Sequence, residues 1–304
     1  MKIAIIGAGA MGSLFGGLLA AAGEEVWLFD VWEAHVKAIQ NSGLTIVSPQ
    51  GELVTKPQAT TDLEAIGRVD LVVIFVKSTA TSDAANVAVR LLNPDTAVLT
   101  LQNGYGNAEQ LAAVVGKERV VAGTTAQGAT LLGPGRIMHA GRGETHIGEY
   151  EGRTKERTHM IARILSRAGI QTFVDENVAS LIWGKLLINV GINAITALTG
   201  LKNGEILDHA ETLELMKMAV AEAEAVAGAA GISLPYPAPL QKVMDVARAT
   251  AENRSSMLQD VTNRRLTEIE AINGAIVREG RRLGIATPVN QALVLLVKMK
   301  EKSY

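Results

Sequence analysis

The sequence predicts a chain of the α/β class, in which a doubly wound parallel sheet occupies the N-terminal part and an all-helical domain the C-terminal part. Three observations predict it: apolar strand signals alternate with helix signals in the first half, a glycine-rich turn joins the first strand to the first helix, and long amphipathic helical segments such as residues 211–230 fill the remainder. At 304 residues the chain is long enough for two domains. We place their boundary near Asp175, between domains 1–175 and 176–304.

The first half carries the strand and helix alternation of βαβ units. The apolar runs that predict strands are residues 2–6, 25–29, 71–76, 97–101 and 119–123, and the helix signals are residues 11–22 and 35–41. Beyond Gly128 the pattern becomes hairpin-like, because the turns Gly133-Pro134-Gly135 and Gly141-Arg142-Gly143 each precede a short strand signal.

Composition excludes several classes of function. The net charge is −2, so the chain lacks the broad basic field of a nucleic-acid-binding protein. No window approaches the 18 or more uninterrupted apolar residues of a membrane span, and the N-terminus has no signal-peptide layout. The sequence therefore predicts a soluble, cytoplasmic protein that binds neither nucleic acid nor membrane.

Residues that hold metals are scarce. Cysteine is absent, which excludes disulfides, thiolate metal sites and cysteine nucleophiles. The five histidines show none of the spacings that bind zinc. We expect no metal site, and we expect each histidine to form local hydrogen bonds.

A glycine loop follows the first strand and opens the first helix. It has the pattern G-x-G-x-x-G, and its residues are Gly7, Ala8, Gly9, Ala10, Met11 and Gly12. In this context the first glycine allows a tight turn, the second lets the backbone approach a pyrophosphate, and the third permits close packing of helix on strand. The helix N-terminus adds free amides and a positive dipole end. A turn that binds nothing is the less favoured interpretation, and the pattern predicts a Rossmann-type dinucleotide-binding domain.

Asp30 ends the second strand 18 residues after Gly12. An acid at about this distance accepts hydrogen bonds from the adenosine ribose hydroxyls and repels a 2′-phosphate, which favours NAD(H). The alternative is that Asp30 caps the helix that follows.

Two polar residues follow later strands of the predicted sheet. Lys77 comes after the run 71–76, and Asn103 comes soon after the run 97–101. Because ligands of open α/β sheets bind outside the carboxyl ends of the strands, both positions are expected to face the cofactor crevice. An ordinary surface lysine and an Asn-Gly turn remain the alternatives.

A polar stripe interrupts the most apolar segment of the second half. Lys185, Asn189 and Asn193 recur every four residues, so in a helix they share one face and span roughly 12 Å. The neighbouring residues are hydrophobic on nearly every side, which is typical of a helix enclosed by protein and lowers the pKa of a lysine. The alternative is a lysine that reaches the surface, with asparagines that bond to nearby backbone.

Two capping boxes predict helix starts near the C-terminus. Ser256 with Gln259 and Thr267 with Glu270 fit the pattern S/T-x-x-E/Q. A straight helix would hold Ser256 and Glu268 about 18 Å apart, whereas a break near residues 263–266 would let them converge, with Glu268 in the first turn of the later helix. Spacing alone favours purely structural roles for these two residues, and a turn at Asn203-Gly204.

The combined motifs resemble the ketopantoate reductase (2-dehydropantoate 2-reductase) family. The matching segments cover nearly the whole chain: G-A-G-A-M-G, V-K at 76–77, Q-N-G at 102–104, G-T-T at 123–125, W-G-K-L-L-I-N-V-G-I-N, N-G-E, A-E-N-R-S-S-M-L-Q-D and T-E-I-E-A-I-N-G. The resemblance implies reduction of 2-dehydropantoate to (R)-pantoate with a nicotinamide dinucleotide, in pantothenate and coenzyme A synthesis. It also implies NADP(H) as the cofactor. Many relatives carry an arginine where this chain has Phe29-Asp30-Val31-Trp32, so we predict that NADH serves at least as well as NADPH.

The resemblance also implies roles for individual residues. Lys185 would be the general acid, and Glu268 would accept a hydrogen bond from the substrate hydroxyl or the cofactor. Ser256 would bind the substrate carboxylate. The residues that would bind other polar groups of the substrate are Asn189, Asn193, Asn203 and Asn253, and those along the nicotinamide side are Lys77, Asn103 and Ala129.

Other interpretations stay open. The partner is a small 2-keto acid, but its alkyl group depends on pocket walls such as Met257 and Ile192, so a reductase of another branched 2-keto acid is an alternative. A non-catalytic dinucleotide sensor is a minor one, because a sensor needs no positioned proton donor. The assembly is also open, with a homodimer as one outcome.

Overall fold

The structure is a computed structural model that describes all residues 1–304 and contains two compact units. The first unit comprises residues 1–102 and 107–178, and the second comprises residues 103–106 and 179–304. The short segment 103–106 therefore belongs to the helical unit although it follows a strand of the first.

The first unit contains twelve strands and five α-helices. Its strands are β1 (Lys2–Ile6), β2 (Glu25–Phe29), β3 (Leu44–Ser48), β4 (Gly51–Thr55), β5 (Gln58–Thr60), β6 (Val69–Ile74), β7 (Leu92–Thr100), β8 (Val120–Thr125), β9 (Gly128–Gly133), β10 (Arg136–Gly141), β11 (Thr145–Glu149) and β12 (Thr172–Val174). Its helices are α1 (Ala10–Ala21), α2 (Glu33–Ser42), α3 (Thr81–Val89), α4 (Asn107–Val115) and α5 (Glu156–Arg167).

An eight-stranded sheet forms the centre of this unit, in the order β12-β11-β8-β7-β6-β1-β2-β5. Its middle strands β1 and β6 are almost entirely buried, as expected when helices cover both faces of a parallel sheet. The expected α/β class is therefore confirmed. Every neighbouring pair in this sheet is parallel except β11 and β8, which pair antiparallel. No helix lies between these two strands, and a parallel pair would need such a crossover.

A second sheet of four strands, in the order β4-β3-β10-β9, lies in the same unit. The predicted hairpin at Gly133-Pro134-Gly135 is present, since β9 and β10 pair antiparallel. The turn at Gly141-Arg142-Gly143 does not make a hairpin, because β11 joins the larger sheet. The strand pair β3 and β4 was not predicted.

The second unit is helical, as expected for the C-terminal part. Its helices are α6 (Val178–Thr199), α7 (Ala210–Ala229), α8 (Pro239–Ala249), α9 (Ser256–Thr262), α10 (Asn273–Leu283) and α11 (Pro288–Glu301). Buried side chains of α6, α7 and α10 form its core together with residues of the other helices.

Helix α6 has 22 residues and is long and apolar enough, by length and composition, to cross a membrane. From the sequence we expected no membrane span, because no window approaches 18 uninterrupted apolar residues. In the folded chain, 67% of its most apolar window is buried inside the protein. The core helix of a water-soluble protein meets the same criteria, so this helix by itself is weak support for a membrane span.

Candidate active site

The glycine loop has the geometry that its motif predicts. Gly7 has φ +91°, and a Cβ on it would lie 2.7 Å from the Val76 backbone nitrogen, so both conformation and space require glycine. A Cβ on Gly12 would overlap the Gly7 carbonyl oxygen. A Cβ on Gly9, at the start of α1, would meet no atom within 4 Å. The loop therefore presents bare backbone to open space at a helix N-terminus, which fits a pyrophosphate.

Asp30 directly follows β2 and is half-buried. Its Oδ1 accepts a hydrogen bond from the Trp32 backbone N–H at 2.9 Å. Helix α2 begins at Glu33. Its N-cap residue is Trp32, and no side chain makes a capping hydrogen bond there. Asp30 thus closes a turn ahead of the helix and is not its cap.

The other residues expected around the cofactor lie on different elements. Lys77 is exposed and follows β6 after two intervening residues, whereas Ala129 lies on β9 of the smaller sheet. Asn103 belongs to the helical unit.

Gln102 has a structural role that sequence reasoning did not assign. Its Nε2 donates to the Val76 carbonyl oxygen at 2.8 Å and to the Thr81 hydroxyl at 2.9 Å. These bonds join the ends of β6 and β7, and the Thr81 hydroxyl in turn donates to the Asn107 side chain.

The polar stripe lies on α6, as its spacing predicts. Asn193 is buried, and Lys185 and Asn189 are half-buried. Burial lowers the pKa of Lys185 to about 8, and the nearby carboxylate of Glu268 opposes this shift. Lys185 is therefore mostly protonated at neutral pH, but it releases its proton far more readily than an exposed lysine does.

The first capping box was assigned to the wrong serine. Ser255 is the N-cap of α9, and its hydroxyl accepts a hydrogen bond from the Leu258 backbone N–H. The same hydroxyl lies 2.7 Å from the Thr196 hydroxyl of α6. Ser256 is the first helical residue, and its exposed side chain lies 3.5 Å from Asn193 Nδ2, which makes only a weak contact. The Ser256 hydroxyl is thus not used as a cap.

The predicted break after α9 is present, but the second capping box does not start a helix. Helix α9 ends at Thr262, Arg264 has φ +53°, and α10 begins only at Asn273. The Thr267 hydroxyl accepts from the Ile269 backbone N–H within a turn. Glu268 is buried in this turn segment and does not lie in the first turn of a helix, because the chain stays irregular until Asn273.

A backbone hydrogen bond joins two further asparagines, Asn203 and Asn253. The Asn203 N–H donates to the Asn253 carbonyl oxygen at 3.0 Å, and Asn203 Nδ2 donates to the Thr250 hydroxyl at 3.0 Å. Asn203 Oδ1 is buried without a hydrogen-bond partner, which is unusual for an amide oxygen. The side chain of Asn253 is exposed. Asn203 therefore carries a buried acceptor that the folded unit leaves unsatisfied.

Trp183 is a site neighbour whose surroundings the sequence did not reveal. It is 1% exposed, its indole Nε1 has no hydrogen-bond partner, and its ring lies 5.1 Å from that of Tyr105. The Tyr105 N–H donates to the Ala271 carbonyl oxygen, and Gly104, at φ +88°, approaches the same residue too closely for a Cβ. The segment 103–106 is thereby held beside the turn that carries Glu268. No local pattern signals this pairing.

Comparisons with known proteins place the chain. The family model "Ketopantoate reductase PanE/ApbA" matches residues 3–152, and the model of its C-terminal part matches residues 177–301. A 2-dehydropantoate 2-reductase from Halobacterium salinarum is 39% identical over 303 residues, covering 99% of each chain. One from Pyrococcus horikoshii is 38% identical, covering 99% of this chain and 98% of its own.

Solved structures agree with the sequence comparisons. A family ketopantoate reductase from Ralstonia eutropha superposes with a TM-score of 0.92 at 35% identity, covering 100% of this chain and 99% of its own. A D-mandelate dehydrogenase with NADH and anilino(oxo)acetate superposes with a TM-score of 0.94 at 32% identity and the same coverage. From these matches over its whole length, the chain belongs to the ketopantoate reductase family.

Proposed function

We propose that the protein reduces 2-dehydropantoate to (R)-pantoate with a nicotinamide dinucleotide, as a step in making pantothenate and coenzyme A. The relatives from Halobacterium and Pyrococcus are named 2-dehydropantoate 2-reductase, and the motifs of the family run through the whole chain. The observation that carries the proposal is Lys185, a half-buried lysine with a pKa of about 8 on the polar stripe of α6.

Lys185 is proposed as the general acid. When bound, the reduced nicotinamide supplies a hydride to the carbonyl carbon of the substrate. The Lys185 ammonium stabilises the negative charge that develops on the carbonyl oxygen and then gives that oxygen a proton. A pKa of about 8 keeps this group charged at pH 7 and eases its loss of the proton. The product is an alcohol, and the lysine regains a proton from solvent.

Glu268 is proposed as the second catalytic residue. Its carboxylate raises the pKa of Lys185 against the effect of burial, which keeps the acid in its protonated form. It is buried and lies in a turn, so its carboxylate has a restricted position from which to accept a hydrogen bond from the substrate hydroxyl.

The substrate is held by neutral polar groups in this proposal. Asn189 continues the stripe from Lys185, and Asn193 lies one turn further beside the Ser256 hydroxyl. Neutral donors of this kind can orient a carboxylate without a fixed positive charge. Asn203, with its unpartnered Oδ1, and Asn253 would bind the hydroxyl at the other end of the substrate.

The first unit is proposed to bind the dinucleotide. The glycine loop would hold the pyrophosphate, and Asp30 the adenosine ribose, through the carboxylate oxygen that Trp32 does not engage. Lys77, Ala129 and, in the second unit, Asn103 would contact the nicotinamide half. A carboxylate at the ribose repels a 2′-phosphate, so we expect NADH to serve at least as well as NADPH. The related D-mandelate dehydrogenase was solved with NADH.

A second candidate substrate is an aromatic 2-keto acid. The structure of D-mandelate dehydrogenase, with its TM-score of 0.94, favours it. The carboxylate and carbonyl are common to both substrates, so the side chains around the alkyl or aryl group decide between them, at about 1–3 kcal/mol per methylene. A homodimer and a cytoplasmic location stay predictions.

The test follows nicotinamide oxidation by the purified protein with NADH and with NADPH. The panel contains 2-dehydropantoate, other branched 2-keto acids and phenylglyoxylate, the keto acid that corresponds to mandelate. The highest kcat/KM is expected for 2-dehydropantoate. A higher value for phenylglyoxylate would establish the second candidate, and turnover of no member of the panel, with NADH still bound, would establish a dinucleotide sensor and overturn the proposal.

A further inference from the structure

His35 lies on α2, is 0% exposed, and connects the glycine loop to a distant turn. Its Nδ1 accepts a hydrogen bond from the Gly135 backbone N–H at 3.0 Å, and its Nε2 lies 3.0 Å from the Ser13 hydroxyl oxygen. The Ser13 hydroxyl donates to the Ala8 carbonyl oxygen at 2.7 Å. Ala8 is the loop residue between Gly7 and Gly9.

These partners determine the direction of every hydrogen bond in the chain. A backbone N–H can only donate, so His35 Nδ1 carries no proton and the neutral ring carries its proton on Nε2. A carbonyl oxygen can only accept, so the Ser13 hydroxyl donates its one proton to the Ala8 carbonyl oxygen and accepts a hydrogen bond from His35 Nε2. Burial lowers the pKa of His35, against the opposing charge of Asp30, and so maintains the neutral ring that this arrangement requires.

The anchored carbonyl sets the orientation of a peptide plane in the glycine loop. In a trans peptide the C=O and the following N–H point in opposite directions. Because the Ala8 carbonyl oxygen is held towards the buried Ser13 hydroxyl, the Gly9 N–H points away from it. Gly9 is the residue on which a Cβ would enter open space, and amides at this position bind phosphate oxygens.

The imidazole itself is held in place from a second side. The Trp32 ring stacks on it with a centroid distance of 5.2 Å and an interplanar angle of 7°. The Trp32 backbone N–H donates to Asp30. His35 therefore joins the glycine loop to the segment that carries the proposed ribose acceptor.

We propose that His35 is a positioning residue for the cofactor, which acts through Ser13 to hold the Gly9 amide in the orientation that binds the pyrophosphate. This rests on the proposed use of a dinucleotide. The hydrogen bond from the Gly135 N–H fixes the tautomer of His35 and holds its ring in place. The hydrogen bond from His35 to Ser13 then orients the Ser13 hydroxyl, which holds the Ala8 carbonyl oxygen of the loop.

Two conservative variants separate these bonds. The amide nitrogen of glutamine can replace Nε2, so His35→Gln keeps a donor for Ser13 and loses the acceptor for Gly135. The amide oxygen of asparagine can replace Nδ1, so His35→Asn keeps the acceptor and loses the donor. Ser13→Ala removes the link to Ala8, and Thr158→Val is the control, since it removes another buried hydroxyl bond of the same unit.

The dissociation constant of NADH, measured by calorimetry, is the readout, and the thermal midpoint is measured alongside it. We expect His35→Asn and Ser13→Ala to weaken NADH binding about tenfold, which equals about 1.4 kcal/mol. His35→Gln should bind NADH nearly as tightly as the wild type does. Its thermal midpoint should be lower, because the Gly135 N–H is left without an acceptor. The control should bind NADH as the wild type does.

Equal losses of affinity in His35→Asn and His35→Gln, or wild-type affinity in Ser13→Ala, would overturn the positioning role. Ser13→Ala decides the question if neither His35 variant folds. A wild-type protein that binds no dinucleotide would instead overturn the proposed function.

Discussion

In the glycine loop, Gly9 provides exposed main chain and Gly7 and Gly12 allow the close packing behind it, whereas on α6 the polar stripe provides side chains. The loop depends on the absence of Cβ atoms, because two of its positions have no room for one. The stripe depends on one ammonium and two amides at set intervals along a helix. We infer that added side-chain atoms impair the glycine loop and that removed side-chain atoms impair the polar stripe. Substitutions of opposite kinds therefore distinguish the roles of the two regions.

The largest effect is expected from Lys185→Ala. Loss of a general acid that also stabilises the developing oxyanion should lower kcat by about 10²–10⁴-fold. The dissociation constant of NADH should stay unchanged, because the glycine loop is intact. Lys217→Ala, at an exposed lysine of α7, is the matched control. Wild-type kcat in Lys185→Ala would end the assignment of Lys185 as the acid.

An added methyl group tests the loop. In Gly12→Ala the new Cβ would overlap the Gly7 carbonyl oxygen, so the loop must distort and NADH affinity should fall by about 100-fold, or about 2.7 kcal/mol. Gly9→Ala should also weaken binding but leave the thermal midpoint unchanged, since its Cβ meets no protein atom. Gly228→Ala on α7, which also has open space, is the control. Calorimetry that finds NADH binding unaffected by both loop substitutions would contradict the role of bare backbone.

At Asp30, which follows β2 in the same unit as the glycine loop, the proposed contact with the cofactor depends on a side chain. Asp30→Asn keeps an oxygen for the Trp32 N–H but removes the charge, so the ratio of kcat/KM for NADPH to that for NADH should rise about tenfold. Asp70→Asn, at an exposed acid of β6, should leave the ratio unchanged. An unchanged ratio in Asp30→Asn would show that this carboxylate does not select the cofactor.

The pH dependence of kcat tests the coupling of Lys185 to Glu268. The protonated lysine is the active form, so kcat should fall as the pH rises through about 8. The Glu268 carboxylate raises the pKa of Lys185, so in Glu268→Gln this fall should begin at lower pH. Glu270→Gln, at an exposed residue, is the control and should leave the pH dependence of kcat unchanged. A shift of the Glu268→Gln profile to higher pH would contradict the coupling.

The smallest effect separates two neighbouring serines at the start of α9. Ser255→Ala removes the cap of α9 and the contact with Thr196, so it should lower the free energy of unfolding by about 1 kcal/mol. Ser256→Ala should leave stability nearly unchanged and raise the KM for the keto acid. Urea unfolding and steady-state kinetics measure the two effects. If Ser256→Ala were the destabilising substitution, the cap assignment would be wrong.

Features that depend on local spacing were predicted well. The glycine loop follows from a strand, a turn and a helix that are contiguous, and the stripe follows from the helical repeat of Lys185, Asn189 and Asn193. A break near residues 263–266 was the condition under which Ser256 and Glu268 could converge, and α9 does end at Thr262.

Features that depend on distant partners were missed. Ser255 and Ser256 are chemically identical, and the contact that accompanies the Ser255 cap, with the Thr196 hydroxyl, joins residues 59 positions apart. Glu268 lies in a turn, although Thr267 and Glu270 fit a local capping pattern, because distant partners occupy both groups: the Thr267 N–H donates to Glu301, and the Glu270 carboxylate pairs with Lys298. The link from His35 to Gly135 spans 100 positions, and no periodicity in the sequence reports it.

The apolar character of α6 has a consequence for the role of its one charged residue. By length and composition alone, this 22-residue segment resembles a membrane span. A lysine at the centre of such a segment opposes membrane insertion by about 2.5–3.5 kcal/mol, and this penalty falls as the charge moves towards either end. Lys185 lies within the segment, so the residue proposed to deliver the proton also makes α6 a poorer membrane span than its length and apolar content suggest.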